Sequence, residues 1–327
     1  VDTISKTITV HPKAKASFTM TRSDSCGPLK VTFTNASSPG NNLSINTMTF
    51  RWNFGNGVTS FARDTSVTFI ASATRDTVYT VQLVAFSNFG CADTITKQVI
   101  VYSKPKARFN LPDTARCGPA VVTMSNTSYP NDTGSVSNMT FFWNFGNGQT
   151  STAFNPTATF TAAKRNDTVY TITLVAYSSH GCADTARRTY RVFPNPIDSF
   201  TGNLTGCSPH TVTFTNQTYN GKNYYWNFGD GATDTAKNPV HVFYGRYLQD
   251  TVFNVKLVAQ SLNGCTGDTF VRQVMVRSLP YAGFTATAMS GCTPLTTQFL
   301  NNSQGLVTDE WNFGDGSVAS GKSVTHT

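Results

Sequence analysis

The chain contains seven cysteines, and whether each forms a disulfide or stays a thiol depends on its surroundings. They are Cys26, Cys91, Cys117, Cys182, Cys207, Cys265 and Cys292. In an oxidising compartment, two cysteines that meet form a disulfide, and buried or free thiols are the alternative. The choice between these outcomes depends on how the fold brings the cysteines together.

Few residues of the chain suit acid–base catalysis. Glu310 is the only glutamate, and the five histidines follow no shared spacing. The chain contains neither H-E-x-x-H nor G-x-S-x-G, the motifs of zinc proteases and of serine hydrolases. The sequence therefore predicts a chain that is not an enzyme and has no cofactor.

Two aspartates, Asp230 and Asp315, stand in the phrase W-N-F-G-D-G and are candidate calcium ligands. Calcium prefers several carboxylate oxygens, whereas earlier copies of the phrase have Asn56 and Asn147 at this position. The alternative is a tight turn, which the glycines on both sides of the aspartate favour. The sequence thus favours a turn without metal.

The same phrase occurs four times and contains every tryptophan of the chain. Trp52, Trp143, Trp226 and Trp311 lie 91, 83 and 85 residues apart. A segment such as "CGPLKVTFTN" precedes each tryptophan, and a segment such as "DTVYTVQLVAF" follows the first three. Three markers in constant order at one period predict a tandem array of small domains, each with its own core.

The array divides into consecutive repeats. We expect residues 1–10 to be the last strand of a preceding repeat, 11–102, 103–193 and 194–277 to be repeats 1 to 3, and 278–327 to be the front half of a truncated repeat 4. The joins are short and contain Pro105, Pro194 and Pro280. Because proline restricts its own backbone and the residue before it, we expect a semi-rigid, elongated rod.

Apolar residues alternate with polar ones in the segments between turns. "VTFTN" from Val31 and "YTVQLVAF" from Tyr79 both show this period of two, which is typical of half-buried strands. Six or seven such segments per repeat predict an all-β sandwich. The four tryptophans alternate with phenylalanines, so we expect them in the sandwich cores. No segment has the ~20 apolar residues of a membrane span.

Assigning the cysteines to repeats predicts three disulfides. The predicted pairs are Cys26–Cys91, Cys117–Cys182 and Cys207–Cys265, with Cys292 left unpaired by truncation. This pairing requires that the strand after the first cysteine and the strand before the second be antiparallel neighbours. Such disulfides indicate an extracellular or cell-surface location.

The phrase "WNFGDG", preceded by "TVTFTN" and followed by "NPVHVF" and "DTVFNVKLVA", closely resembles the polycystic kidney disease (PKD) domain. The resemblance covers nearly the whole chain and implies immunoglobulin-like β-sandwiches. The family signature has an aspartate where this chain has Asn53, Asn144, Asn227 and Asn312. The "C-x-P" and "GC" patterns resemble repeats of very large Bacteroidota surface proteins, including gliding-motility adhesins.

The resemblance implies a non-catalytic, secreted or surface-bound module. The first hypothesis is a stalk or filament segment of a giant adhesin. The alternatives are accessory PKD spacers of a secreted hydrolase, or carbohydrate-binding modules that use exposed aromatics such as Tyr129, Tyr219 and Tyr244. Each alternative predicts a different feature, a catalytic domain in the same protein or an aromatic face.

The expected partners are neighbouring repeats of the same chain and surface or environmental polysaccharide, and lateral self-association is a further expectation. The net charge is +8, with small basic groups at the repeat joins, and these groups can attract anionic polysaccharide or simply be solvated. No platform of aromatic and basic residues predicts nucleic-acid binding.

Asp-Thr followed by a small or aliphatic residue resembles the O-glycosylation acceptor of Bacteroidota. It occurs at Thr3, Thr77, Thr94, Thr114, Thr168, Thr185, Thr235 and Thr251. The alternative is that these dipeptides begin strands, because aspartate favours turns and threonine favours strands. The two interpretations are compatible, since the first threonine of a strand can be exposed.

Overall fold

The computed structural model describes residues 2–40, 44–131, 134–305 and 308–327. The chain forms two compact units. One contains Val1–Ala115, Ala120–Phe160 and Val169–Arg191, and the other contains Arg116–Pro119, Thr161–Thr168 and Val192–Thr327. The predicted ranges 1–10, 11–102, 103–193 and 278–327 each include positions outside the described residues.

Repeat 1 is a sandwich of a three-stranded and a five-stranded sheet. Its strands are β1 (Phe18–Met20), β2 (Asp24–Cys26), β3 (Leu29–Asn35), β4 (Thr49–Asn53), β5 (Thr59–Ser60), β6 (Thr65–Phe69), β7 (Thr77–Phe86) and β8 (Ala92–Tyr102). The strand orders are β1-β3-β6 and β2-β8-β7-β4-β5. A 3-10 turn at Ile45–Thr47 precedes β4, and the Ser44 side chain caps it.

The core of repeat 1 comes from alternate residues of both sheets. Phe33 and Phe69 from one sheet and Trp52 and Leu83 from the other are fully buried. The predicted period of two is present in β7, where every second residue from Val81 to Ala85 is buried and the residues between are half-buried. The fold is therefore the predicted all-β sandwich.

Repeats 2 and 3 follow the same plan. Repeat 2 contains β9 (Phe109–Asn110), β10 (Ala115–Cys117), β11 (Ala120–Thr123), β12 (Ser125–Asn126), β13 (Thr140–Asn144), β14 (Thr150–Ser151), β15 (Thr157–Phe160), β16 (Thr168–Tyr177) and β17 (Ala183–Phe193), with a 3-10 turn at Val136–Asn138. Repeat 3 contains β18 (Phe200–Thr201), β19 (Thr205–Cys207), β20 (His210–Thr213), β21 (Thr215–Asn216), β22 (Asn223–Asn227), β23 (Thr233–Asp234), β24 (Val240–Phe243), β25 (Thr251–Gln260) and β26 (Phe270–Arg277).

The larger sheet has the same strand order in each complete repeat. It is β10-β17-β16-β13-β14 in repeat 2 and β19-β26-β25-β22-β23 in repeat 3. The smaller sheet consists of two-stranded pairs, β11-β15 with β12-β9 and β20-β24 with β18-β21. The first strand of each larger sheet ends in a cysteine, and this placement determines which cysteines meet.

Repeat 4 contains fewer strands. They are β27 (Phe284–Ala286), β28 (Thr297–Asn301), β29 (Trp311–Asn312), β30 (Val318–Ala319) and β31 (Ser323–His326), in the orders β27-β28-β31 and β29-β30. Phe284 is 58% exposed, whereas its counterpart Phe200 in repeat 3 is 1% exposed. Among the described residues, no strand like β7 or β25 pairs with β29 to cover the core from the other side.

The described part of the range 1–10, in which a strand is predicted, contains no strand. Residues 2–10 lie in no strand and are exposed, including Ile4, Ile8 and Val10. A strand needs a neighbour for its N–H and C=O groups, and no described strand pairs with this segment. The described residues also contain no helix long and apolar enough to cross a membrane.

Candidate functional site

Two disulfides join successive repeats. Cys26 bonds to Cys182 in the first unit, with 2.03 Å between the sulfur atoms and 5.5 Å between the Cα atoms. Cys117 bonds to Cys265 in the second unit, with corresponding distances of 2.10 and 5.4 Å. Each bridge connects the first cysteine of one repeat to the second cysteine of the next, across 156 and 148 residues.

The predicted pairs Cys26–Cys91, Cys117–Cys182 and Cys207–Cys265 are therefore wrong, and Cys91, Cys207 and Cys292 are free. The strands assumed to be neighbours are β3 and β7, which belong to different sheets. Cys26 ends β2, which runs parallel to β8 and places Cys26 beside Tyr102. Cys91 directly precedes the start of β8, about 36 Å from Tyr102 at ~3.3 Å per residue.

The first cysteine of each complete repeat is held at the end of the last strand. The N–H of the residue after the cysteine donates to the carbonyl of that strand's final residue. The pairs are Gly27 to Tyr102 at 3.1 Å, Gly118 to Phe193 at 2.9 Å and Ser208 to Arg277 at 3.0 Å. Because the last strand leads into the join, each first cysteine lies where the chain passes to the next repeat.

The second cysteine lies in a tight turn with the pattern Ser-x-x-Gly-Cys. Ser178 Oγ accepts the N–H of Cys182 at 3.2 Å, and the Ser178 N–H donates to the Cys182 carbonyl at 2.8 Å. Gly181 has φ of 76°, a conformation that glycine adopts without strain. The same bonds occur at Ser87 with Cys91 and at Ser261 with Cys265. The turn thus fixes the backbone of the second cysteine.

Further contacts surround the bridge between repeats 1 and 2. The rings of Tyr102 and His180 stack 3.9 Å apart, and Lys106 Nζ lies 3.8 Å from Asp184 Oδ2. Burial and the carboxylate of Asp24, which accepts the Tyr102 hydroxyl, raise the pKa of Tyr102. Cys182 itself is 1% exposed. The bridge is therefore part of a packed contact.

The segment before repeat 1 repeats this arrangement without a bridge. His11 stacks on Phe89 at 3.8 Å, and Lys13 Nζ lies 2.9 Å from Asp93 Oδ1. His11, Phe89 and Asp93 occupy the positions of Tyr102, His180 and Asp184 one repeat later, whereas the lysine differs, because Lys13 aligns with Lys104 and not with Lys106. The ring stack and the aspartate near Cys91 thus match those near Cys182, although Cys91 is free.

The second bridge is accompanied by a cation–π contact within its unit. The guanidinium of Arg165 lies 4.8 Å from the ring centre of Tyr219, whose hydroxyl donates to the Arg165 carbonyl at 3.4 Å. Tyr219 is one of the three aromatics predicted to bind carbohydrate; it is 41% exposed, and its role also stays a prediction. Tyr129 and Tyr244 are 43% and 72% exposed, and their role stays a prediction.

The tryptophan phrase has a structural role. Trp52, Trp143 and Trp226 are at most 2% exposed, which confirms their predicted place in the core. Each indole N–H donates to a carbonyl ten residues later, at 2.9 to 3.0 Å. Trp311 makes the same bond to Gly321 but is only half-buried. Among the described residues, no strand pairs with β29 as β25 pairs with β22.

The asparagine after each tryptophan closes the turn, a role that the sequence analysis missed. Asn53 Oδ1 accepts the N–H of Gly55 at 3.0 Å, and the same bond occurs at Asn144, Asn227 and Asn312. Gly55 has φ of 73°, and a Cβ there would approach the Thr80 carbonyl oxygen to 2.8 Å. Asparagine and glycine at these positions therefore follow from turn geometry.

The two candidate calcium ligands are bonded to histidines instead. Asp230 Oδ2 lies 2.6 Å from His241 Nε2, and Asp315 Oδ2 lies 2.7 Å from His326 Nε2. The other oxygen of each carboxylate accepts a backbone N–H of its own turn. Burial raises the pKa of Asp230, but the bonds from His241 and Ala232 outweigh it and hold the pKa below its usual range. Among the described residues, no three His, Cys, Asp or Glu side chains converge to hold a metal.

The eight candidate glycosylation threonines fall into two groups. Thr77, Thr168 and Thr251 are half-buried, and their hydroxyl oxygens accept backbone N–H groups at 2.8 to 2.9 Å. Thr3, Thr94, Thr114, Thr185 and Thr235 are exposed. The structure therefore gives the first group a structural role at the start of a strand, and modification of the second group stays a prediction.

Comparison with known proteins gives one family match. Residues 194–276 match the family described as PKD domain. No curated protein matches the chain.

The comparison with solved structures gives weak similarities, of which three follow. The D1–D4 ectodomain fragment of ICAM-5 is 12% identical, with a TM-score of 0.37 over 81% of this chain and 76% of that one. A 1.5-MDa bacterial ice-binding adhesin is 14% identical, with a TM-score of 0.32 over 83% and 99%. Three domains of the outer capsid protein Hoc of bacteriophage RB49 are 12% identical, with a TM-score of 0.31 over 81% and 99%.

The family match covers repeat 3, and the other repeats share its tryptophan phrase and its turn bonds. Repeats 1 and 2 also share the strand order of its larger sheet. Repeat 3 is thus similar to the PKD domain, and repeats 1 and 2 have the same β-sandwich plan.

Proposed function

We propose that the chain is a non-catalytic extracellular stalk or filament segment of a giant surface adhesin, which provides length and semi-rigid spacing for adhesion or gliding. The observation that supports this most directly is that the disulfides connect one repeat to the next. A bond in this position fixes neighbouring domains to each other, which a spacer requires and an isolated binding module does not.

The oxidised cysteines also support an extracellular location, because thiols in the cytoplasm stay reduced. Exposed threonines in acceptor-like sequences are consistent with a surface glycoprotein of Bacteroidota. The basic joins are compatible with a polysaccharide partner through charge attraction. Neighbouring repeats of the same chain are the partners that the bridges indicate.

Protease treatment of intact cells tests the location. Cells that produce the complete protein are treated with proteinase K, and fragments are detected with an antibody against repeat 2. We expect loss of the signal from intact cells, while a cytoplasmic control protein persists. Protection of repeat 2 until the cells are lysed would rule out a surface stalk.

A second candidate function, carbohydrate binding, is favoured by one groove on repeat 2. Phe142, Phe154 and Tyr177 line it and are 41%, 44% and 36% exposed. Phe141 packs edge-on against Phe154 at 5.4 Å, and the hydroxyls of Ser137 and Thr152 lie at the margin. Exposed rings beside hydroxyl groups suit the apolar face and hydroxyls of a sugar.

Repeats 1 and 3 do not share this set of three aromatics. The positions of these three aromatics are Arg51, Arg63 and Phe86 in repeat 1 and Tyr225, Lys237 and Gln260 in repeat 3. Glycan-array binding by the intact chain would therefore decrease with Phe154→Ala. Phe61→Ala, at a ring 75% exposed in repeat 1, is the matched control. Equal binding by both variants would reject this candidate.

A further inference from the structure

The two disulfides overlap along the chain. The bridge from Cys26 ends at Cys182, beyond Cys117, where the next bridge begins, and that bridge ends at Cys265. A pull on the two chain ends therefore does not have to extend the whole backbone. The shortest covalent route crosses from Cys26 to Cys182, returns to Cys117 and crosses again to Cys265.

We propose that the overlapping bridges have a mechanical function: they carry tension from repeat to repeat and limit how far the chain can extend when its sandwiches unfold. The inference rests on the proposed extracellular function for the oxidising conditions under which the bridges form. It adds a load-bearing role to the spacing role.

The structure protects these bridges from reduction. Cys182 and Cys265 are 1% exposed, so that one sulfur of each bridge is buried, and their partners Cys26 and Cys117 are half-buried. Attack on a disulfide requires access of a thiolate to a sulfur. The stack of Tyr102 on His180 adds to the packing at the first bridge. A tether under load benefits from bridges that persist.

The anchoring of both cysteines fits the transfer of force. Cys26 ends β2, which is bonded in parallel to the end of β8, and Cys182 lies in a turn closed by Ser178. The last strand of repeat 1 and the β16–β17 turn of repeat 2 are thereby coupled directly. Tension enters repeat 2 through the bridge as well as through the peptide join.

Overlap has a consequence that separate bridges lack. If either bridge is removed, the other still bypasses about half of the chain. At ~3.4 Å per extended residue, loss of one bridge lengthens the fully unfolded, end-to-end route by only about 60–90 Å, and loss of both lengthens it by about 600 Å. Three separate bridges within repeats would instead each contribute about 220 Å, additively.

Single-molecule force spectroscopy on the oxidised 327-residue chain, pulled from both ends, measures these lengths. The variants are Cys182→Ser, Cys265→Ser and the double variant, with Cys91→Ser and Cys207→Ser as matched controls at free cysteines. We expect small gains for each single variant, a gain of about 600 Å for the double variant and no change for the controls. Reduction of the wild type by dithiothreitol provides a second measurement, which does not depend on the folding of a variant, and should match the double variant.

Additive gains of about 220 Å per variant, or a gain with Cys91→Ser, would overturn the inference. An equal length for the oxidised and reduced wild type would also overturn it. These outcomes are independent of cellular location, because the purified chain is tested. A cytoplasmic location would reject the proposed stalk even if the lengths are as expected, so the two failures are distinguishable.

Discussion

In repeats 1 and 3, an aspartate carboxylate bonds the join before the repeat to the sandwich. The aspartate belongs to the sandwich in repeat 1 and to the join in repeat 3. In repeat 1, Asp93 on β8 accepts the N–H of Ala16 at 2.9 Å and pairs with Lys13. In repeat 3, Asp198 lies on the join and accepts the N–H of Ala259 on β25 at 3.0 Å. The join therefore donates to an aspartate on β8 in repeat 1, whereas in repeat 3 an aspartate on the join accepts a bond from β25.

This difference changes the electrostatics of the connection. The bonds from Lys13 and Ala16 lower the pKa of Asp93. Asp198 is 9% exposed, and its burial raises its pKa despite the bonds from Ala259 and Thr218, with a smaller contribution from the nearby charge of Asp268. The charged form of Asp93 therefore stabilises repeat 1, whereas the protonated form of Asp198 stabilises repeat 3. The same fold can thus have opposite pH dependence in two of its copies.

The largest predicted effect tests whether the cores of the two repeats are equivalent. Trp52→Ala and Trp226→Ala should each lower the free energy of unfolding of their repeat by about 3–5 kcal/mol, since each removes a buried indole and leaves a cavity. Hydrogen exchange resolved by repeat is the measurement, because a multidomain chain has no single unfolding transition. Losses that differ by more than about 2 kcal/mol would show that the cores are not equivalent.

Trp311→Ala is the internal comparison for that experiment. Trp311 is half-buried, so the variant should lose clearly less protection in repeat 4 than Trp226→Ala loses in repeat 3. A loss in repeat 4 as large as in repeat 3 would contradict the partial burial.

The sequence predicts the sandwich and its tryptophans but not the disulfide pairing. Alternation in β7 and the position of Trp52 depend on local pattern, and both agree with the structure. The partner of Cys26 depends on the parallel pairing of β2 with β8 and on the position of the following repeat. A period of two gives neither strand direction nor the neighbour of a domain, so no local signal identifies Cys182.

The position of Asp198 could be noticed from the sequence, since the join before repeat 3 has an aspartate where the others have Ala16 and Ala107. The burial of Asp198 could not be predicted, because it depends on how β25 and Gly267 pack against this side chain. A Cβ at position 267 would approach Asp198 Oδ2 to 2.5 Å. The His241–Asp230 bond is a similar case. Repeats with Asn56 and Asn147 have no histidine at the matching position, and only the comparison of repeats indicates the pair.

Asp198→Asn should stabilise repeat 3 by about 1 kcal/mol at pH 7, because it removes a buried charge and keeps an acceptor for the Ala259 N–H. Because the pKa of Asp198 is raised in the folded state, its carboxyl stabilises repeat 3 fully at pH values below its pKa in the unfolded chain, about 4. This contribution is lost as the pH rises through the pKa of the folded state. Exchange of the Ala259 amide between pH 4 and 7, corrected for intrinsic rates, measures the loss in the wild type and its absence in the variant.

Asp93→Asn in repeat 1 is the matched control. Its lowered pKa predicts the opposite sign: stability is present above about pH 4 and is lost as pH falls through the folded pKa. The variant should therefore weaken protection of the Ala16 amide at pH 7. If both variants shift stability in the same direction, the proposed difference between the repeats is wrong.

The turn of repeat 3 can be converted to that of repeat 1 with two substitutions. Asp230→Asn alone should cost about 0.5 kcal/mol, because the half-exposed bond to His241 is lost while the turn bond to Ala232 is kept. Adding His241→Val, which copies Asn56 and Val67 of repeat 1, should recover most of that cost. A double-mutant cycle on repeat 3 protection measures the coupling, and additive costs would show that the pair does not act as a unit.

The smallest effect concerns the salt bridge between Lys13 and Asp93 in the repeat 1 connection. Lys13→Ala should accelerate exchange of the Ala16 amide by about twofold at low salt, since Lys13 is mostly exposed and the bond from Ala16 to Asp93 remains. The effect should disappear at 1 M salt, where exposed charges are screened. Lys30→Ala, at an exposed lysine on β3 of the same repeat, controls for charge removal alone. Equal effects of Lys13→Ala and Lys30→Ala, or no influence of salt, would show that the repeat 1 connection depends only on the bond from the Ala16 N–H to Asp93. Asp93 and Asp198 would then differ only in burial.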